Sequence, residues 1–179
     1  MVAIDPPGSS RQGADACGIV AVGRTESGNV YVLEEATAAG LSPSGWATKA
    51  VALYRRLKAD TLVAEVNMGG EMVRAVLREV DASVPLKQVH ATRGKYLRVE
   101  PIAALYEQGR VKHVGCFPLL EDEMCDFGLD GLSSGRSPDR LDALVWAITA
   151  LNSAAATSGG PRIRSLSWGN EPLVPWFRR

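Results

Sequence analysis

The sequence predicts an α/β domain, on three observations. Short apolar, β-branched runs open the chain with turn-forming residues between them, and amphipathic helical stretches then alternate with further short apolar runs. The third is composition: 46% hydrophobic against 22% charged residues over 179 positions describes a globular chain long enough to bury a core. Read from the start, the order is β-β-β-α-β-α-β-α with one more helix behind it.

The first strand is Val2 to Ile4, ending at Asp5 because Pro6 and Pro7 cannot continue a ladder and Gly8 to Ser10 favour a loop. Gly18 to Val22 and Asn29 to Leu33 are β-branched runs on either side of a turn-rich segment, a hairpin signature, so the sheet starts antiparallel. Ser42-Pro43 supplies an N-cap with proline at the first helical position. Trp46, Ala50, Leu53, Tyr54 and Leu57 follow at helical spacing, which predicts a helix to about Lys58. Thr61 to Ala64 is a buried strand leading into Glu65, and Asn67, Met68, Gly69 and Gly70 open a helix over Glu71 to Val80. Next come a strand at Lys87 to His90, a helix from Leu97 to Gln108 stopped by Gly109, and a short extended segment at Val111 to Val114. Ser137-Pro138 caps the last helix, whose Leu141, Leu144, Val145, Ile148 and Leu151 form one face. Asn152 to Gly160 has linker composition, and Pro161 to Arg179 carries Trp168, Trp176, Arg178 and Arg179. The expected division is therefore one domain over 1–151 and a linker with a basic-aromatic tail over 152–179.

Several function classes are disfavoured at once. Twenty Lys and Arg balance twenty Asp and Glu, so net charge gives no argument for a polyanionic partner. The chain opens with no basic and apolar leader, and the uncharged stretch from Ala143 to Pro161 is apolar only to Leu151, short of the ~20 residues of a membrane span. A cytoplasmic chain is expected. Cys17, Cys116 and Cys125 are odd in number and lack CxxC spacing, which supports neither a disulfide framework nor a zinc knuckle. No nucleophilic Ser-His-Asp or Cys-His set can be argued from His90 and His113.

Carboxylates carry the chemical signal. Asp5 and Glu65 each stand where an apolar strand ends; an acid there is costly if buried, which places it at the rim of the sheet, where ligands of α/β folds bind. Asp142 lies among Leu141, Leu144 and Val145, near the buried stripe of its helix, and Asp139 lies one turn before it on nearly the same face. Asp139 also suits the first turn of a helix as a partner of its dipole. Hard divalent cations give acids a reason to face a core, because Mg²⁺ and Mn²⁺ take oxygen ligands and reconcile carboxylates that otherwise repel. Two such ions ~4 Å apart serve phosphodiester hydrolysis.

These residues resemble a known family. The segments around VAIDPPGSS and DACGIVAVGR, VYVLEEAT, VAEVNMGGEMV, GKYLRVEPIAALYEQGRVKHVG, and LEDEM with SPDRLDALVWAITAL are similar, in this order, to the C-terminal nuclease domain of the large terminase subunit of tailed phages and of prophage-like gene transfer agents. The resemblance implies an RNase H-like fold: a central mixed sheet, three antiparallel strands then parallel strands, flanked by helices. It implies a metal-dependent endonuclease that cuts concatemeric double-stranded DNA during packaging, with Mg²⁺ or Mn²⁺ in a two-metal site. By position, the family's catalytic and metal-binding acids fall on Asp5, Glu65 and Asp142, with Asp139 where relatives carry an accessory ligand and Asp15 where they often have an acid. Further implied partners are the portal protein, the small terminase subunit and an ATPase motor in the same chain, with action in the bacterial cytoplasm and transiently at the capsid portal. No G-x-x-x-x-G-K-[ST] loop occurs here, so an isolated nuclease domain that cuts but does not translocate DNA is expected.

Candidate DNA contacts lie between His90 and His113, where Arg93, Lys95, Arg98, Arg110 and Lys112 outnumber Glu100 and Glu107. Lys95 and Arg98 also fit the family's GK-x-x-R pattern. Leu119 to Asp142 is instead acidic and is expected to bound the DNA groove. Two other readings share parts of these observations: a different RNase H-like nuclease, such as a junction resolvase, hybrid nuclease or transposase, and a non-catalytic DNA-binding or portal-docking module.

Overall fold

The computed structural model describes residues 1–7, 16–66 and 70–156. Its sheet has six strands: β1 (Val2–Asp5), β2 (Gly18–Arg24), β3 (Val30–Glu35), β4 (Leu62–Glu65), β5 (Leu86–Val89) and β6 (Val111–His113). The five helices are α1 (Pro43–Arg56), α2 (Gly70–Val80), α3 (Lys95–Glu107), α4 (Pro118–Asp126) and α5 (Asp139–Ala156). Across the sheet the order is β5-β4-β1-β2-β3-β6. β1, β2 and β3 pair antiparallel, β4 and β5 run parallel to β1, and β6 runs parallel to β3 at the opposite edge.

Local chemistry accounts for most boundaries. Ser42 caps α1 by accepting from the Gly45 N–H, with Pro43 behind it, as its sequence suggests. Gly109 takes φ +65° after α3, and its N–H and that of Arg110 return to the carbonyls of Tyr106 and Leu105, closing the helix in a left-handed turn. α5 runs to Ala156, past the expected boundary at Leu151, and residues 157–179 lie outside the described part. α4 was not anticipated. It buries only Leu120 and shows no long apolar stripe, so periodicity could not reveal it. It is pinned by tertiary contacts instead: Tyr106 Oη is hydrogen-bonded to His113 Nε2 at 2.7 Å, and His113 Nδ1 to Glu121 Oε1 at 3.0 Å, joining α3, β6 and α4. This gives His113 a structural role.

The sheet separates two apolar layers. Val2, Ile4, Ile19, Ala21, Leu62 and Ala64 face α1 and α2, whereas Ala3, Val20, Val22 and Val63 face α5 with α3 and α4. Alternation along a strand then decides where the next residues point. α5 crosses the sheet over β2 at Gly18, so closely that a Cβ there would stand 2.0 Å from the Asp139 carbonyl oxygen and 3.0 Å from the Ala143 Cβ. Only the absence of a side chain permits this contact.

Gly18→Ala is therefore expected to push α5 off the sheet and cost about 3 kcal/mol or more, read as a fall of roughly 10 °C in the thermal midpoint. An unchanged midpoint would show that α5 has room to shift.

Candidate active site

Two strand ends and one helix converge. Asp5 follows Ala3 by two residues on β1 and Glu65 follows Val63 by two on β4, so both carboxylates emerge on the α5 side of the sheet. The parallel pairing aligns Ile4 with Ala64, which makes Asp5 and Glu65 the next neighbours in register. On its other flank Asp5 pairs with Gly18, the residue on which α5 rests. The contact that seats the helix thus also brings its first turns to the strand ends.

α5 presents Asp139, Asp142 and Trp146 at three- and four-residue spacing, along one face. Asp139 and Asp142 are the buried charged residues among the described positions, 8% and 2% exposed. Between them the first turn of α5 is held from another element: Glu123 of α4 accepts the Arg140 N–H at 3.0 Å and the Leu141 N–H at 3.1 Å, while its Oε1 meets Arg140 Nη1 at 2.8 Å. The start of α5 is thus capped by a tertiary carboxylate, whereas Ser137, the expected cap, accepts from Lys95 Nζ at 3.2 Å.

α3 brings the balancing cations. Lys95 Nζ lies 2.5 Å from Asp142 Oδ2, and Arg98, one turn on, bridges two acids, with Nη2 3.4 Å from Asp142 Oδ1 and Nη1 3.5 Å from Glu65 Oε2. The Trp146 indole N–H donates to Glu65 Oε2, and the Arg98 guanidinium lies 4.8 Å over the same indole ring. Neither contact of Trp146 was read from the sequence, although its place one turn after Asp142 was the available signal.

Electrostatics follow from crowding. Burial pushes the Asp5 carboxyl well above the ordinary range; the charges of Asp142, Glu65 and Asp139 push it the same way, against Lys95. Burial also raises Asp142, with Lys95 and Arg98 pulling it back down and Glu65 adding to the rise. Among the described residues no three acid, histidine or cysteine side chains stand at joint ligating distance; Asp142 is turned to Lys95 and Arg98, and Glu65 to Arg98 and Trp146. The donor set nevertheless fits a hard cation: carboxylate oxygens at the ends of β1 and β4 and the start of α5 whose mutual repulsion the protein relieves with positive charge. Lys95, 44% exposed, is the shallower of the two cations that now balance Asp142.

The other predicted residues separate. Arg93 is exposed just before α3, on the side of the acids. Arg110 and Lys112 sit at the start of β6, paired with the start of β3 and so at the end of the sheet away from Asp5. A cleft of about 1270 Å³ opens beside Asp139 and Lys95, walled by Asp122, Glu123, Asp126 and Asp130, which gives the acidic segment its place. Cys17 is buried and Cys116 and Cys125 are exposed, all three free. Asp15, Asn67, Gly69 and the tail with Trp168, Trp176, Arg178 and Arg179 lie outside the described residues.

Residues 2–151 match the family described as the terminase RNase H-like domain. The chain belongs to this family. The terminase domain shares its fold with the large terminase nuclease from thermophilic phage G20c, at 16% identity and a TM-score of 0.60, over 83% of this chain and 80% of that one. The cobalt-bound crystal structure of that nuclease gives 15% identity and 0.55 over the same shares. The yeast mitochondrial Holliday junction resolvase Ydc2 gives 12% identity and 0.50, over 82% of this terminase domain and 76% of the resolvase. No curated protein matches. The RNase H-like fold expected from the sequence is the one observed, and no described helix is long and apolar enough to cross a membrane.

Two outcomes follow for the metal-free terminase domain. An acid whose folded pKa is raised makes folding less favourable as pH rises past its unfolded value. Asp5→Asn should therefore raise the thermal midpoint in chelator, by a margin that widens from acidic to mildly alkaline pH; a margin that narrows would contradict the crowding. Glu123→Ala removes the cap of α5 and should cost about 1–2 kcal/mol in urea unfolding, whereas Asp130→Ala, on the exposed cleft wall, should cost little.

Proposed function

We propose that this terminase domain is a divalent-metal-dependent endodeoxyribonuclease that cuts double-stranded DNA during packaging, with Asp5, Glu65 and Asp142 as its catalytic and metal-binding acids and Asp139 as an accessory ligand. The observation that carries this reading is the meeting of three chain-distant acids where the adjacent strands β1 and β4 end against the start of α5, under cations that offset their repulsion. The cobalt in the related phage nuclease supports a divalent ion for a domain of this fold. Mg²⁺ or Mn²⁺ held by these acids would supply water activation and charge stabilisation at the departing 3′ oxygen, the two services of a paired-metal site.

The chain's own residues perform the remaining tasks. The sheet and α5 bring the backbones of Asp5, Glu65 and Asp142 together, so that turning Glu65 and Asp142 from their cation partners would complete the donor set. Lys95, half-exposed and ion-paired to Asp142, is placed to turn from that carboxylate to a DNA phosphate. Arg93, exposed two residues earlier in the chain, would add a second phosphate contact, and Arg98 contributes positive charge from its buried place against Asp142. Contacts to phosphate carry no base information, which suits cutting with little sequence preference and makes affinity fall with salt. Arg110 and Lys112, at the opposite end of the sheet, are not assigned to the cut site. An ATPase motor, the small terminase subunit and the portal are the partners proposed for the packaging machine, in the cytoplasm of a bacterial host.

The test is nicking and linearisation of supercoiled plasmid with Mn²⁺ or Mg²⁺. Asp5→Ala and Asp142→Ala should each lower the rate roughly a hundredfold or more, the loss of several kcal/mol of metal-dependent stabilisation. Undiminished cutting in both variants would overturn the acid assignment. Linear duplex, four-way junction and RNA-DNA hybrid offered side by side should be cut with the duplex preferred; a strong preference for the junction or the hybrid would replace the packaging role by one of those activities, and a protein that binds DNA without cutting would leave a docking module.

A further inference from the structure

Trp146 is buried on the face of α5 that carries Asp139 and Asp142, not on the opposite face where Leu141, Leu144 and Ile148 pack. Its indole brings an N–H donor and an aromatic face to that side of the helix. A buried indole N–H takes an acceptor, and this one takes Glu65 Oε2, 81 residues away on a separate element. The same oxygen lies 3.5 Å from Arg98 Nη1, whose guanidinium spreads over the indole ring and reaches Asp142 Oδ1 with Nη2. Among the described residues Nε and Nη1 of Arg98 make no hydrogen bond, so stacking on Trp146 and charge, more than saturated donors, set where the guanidinium lies. β4, α3 and α5 are registered to one another at this point.

We propose that Trp146 and Arg98 form a positioning clamp for Glu65: the indole N–H fixes the carboxylate's orientation toward Asp142, and the indole face carries the guanidinium that keeps the two acids together. This rests on the metal-dependent reading above. The clamp acts through Glu65, and neither of its members needs to touch an ion. Its consequence is that removing the N–H alone weakens binding of the divalent ion while the fold persists.

The readout is the Mn²⁺ concentration that half-saturates the rise in thermal midpoint of the DNA-free protein, measured for the wild type, Trp146→Phe and Arg98→Lys. Phenylalanine keeps a ring under Arg98 and lacks the N–H; lysine keeps the charge and lacks the planar face. Each variant is expected to need about tenfold more Mn²⁺ or beyond, the usual scale for losing a partner of a ligand. A purely structural role would lower the midpoint in chelator and leave the Mn²⁺ requirement unchanged, and that result in Trp146→Phe overturns the clamp. Should Trp146→Phe fail to fold, Arg98→Lys decides by the same criterion. A wild type whose midpoint does not respond to Mn²⁺ at any concentration overturns the metal reading and the clamp with it, whereas a wild-type response equalled by the variants overturns the clamp alone.

Discussion

The seating of α5 on Gly18 is the constraint on which the rest of the molecule depends. Gly18 pairs with Asp5 across the β1–β2 ladder, and a helix backbone lies where its side chain would be. That close approach fixes the height and position of α5 over the sheet, and Asp139, Asp142 and Trp146 follow because they share one helix face. Glu123 secures the same end from the far side by accepting the first free N–H groups of the helix. Sterics below and hydrogen bonds beside it hold the helix start rigidly, which a site built from several elements requires.

Collecting acids where β1 and β4 end has an electrostatic cost, and the structure shows how it is met. Asp5 is displaced toward its neutral form by burial and by three neighbouring carboxylates, while Asp142 is partly restored by Lys95 and Arg98. Arg98 is the deeper of the two cations, 11% exposed, and Lys95 the shallower. Depth divides their work: the buried guanidinium belongs to the fixed framework, and the ammonium at the surface can exchange partners. A region that trades stability for an arrangement of like charges is the pattern expected where function constrains the chain.

Much of this was legible in the sequence, for identifiable reasons. Strand ends at Asp5 and Glu65 announced themselves because apolar runs stop there, and the caps at Ser42 and Gly109 work through local backbone chemistry. What escaped was tertiary. α4 carries too few buried residues to leave a periodic trace, and Glu123 looked like one acid in a solvated run until its carboxylate met α5. Arg98 reads as a DNA-facing cation from its GK-x-x-R context, yet its side chain is buried against Trp146. The role of Gly18 is invisible without coordinates, since no turn or positive φ requires glycine there, only a helix from the other end of the chain.

The bond from Trp146 to Glu65 spans 81 residues, and Asp5 lies farther back still. Contacts of such separation form late, after loop closure has been met by the docking of large elements. A polypeptide emerging from synthesis displays isolated acids at strand tips until the last helix has been made and has settled. The cluster of acids is thereby tied to completion of the domain, since a prematurely terminated chain ending before that helix lacks Asp139, Asp142 and Trp146.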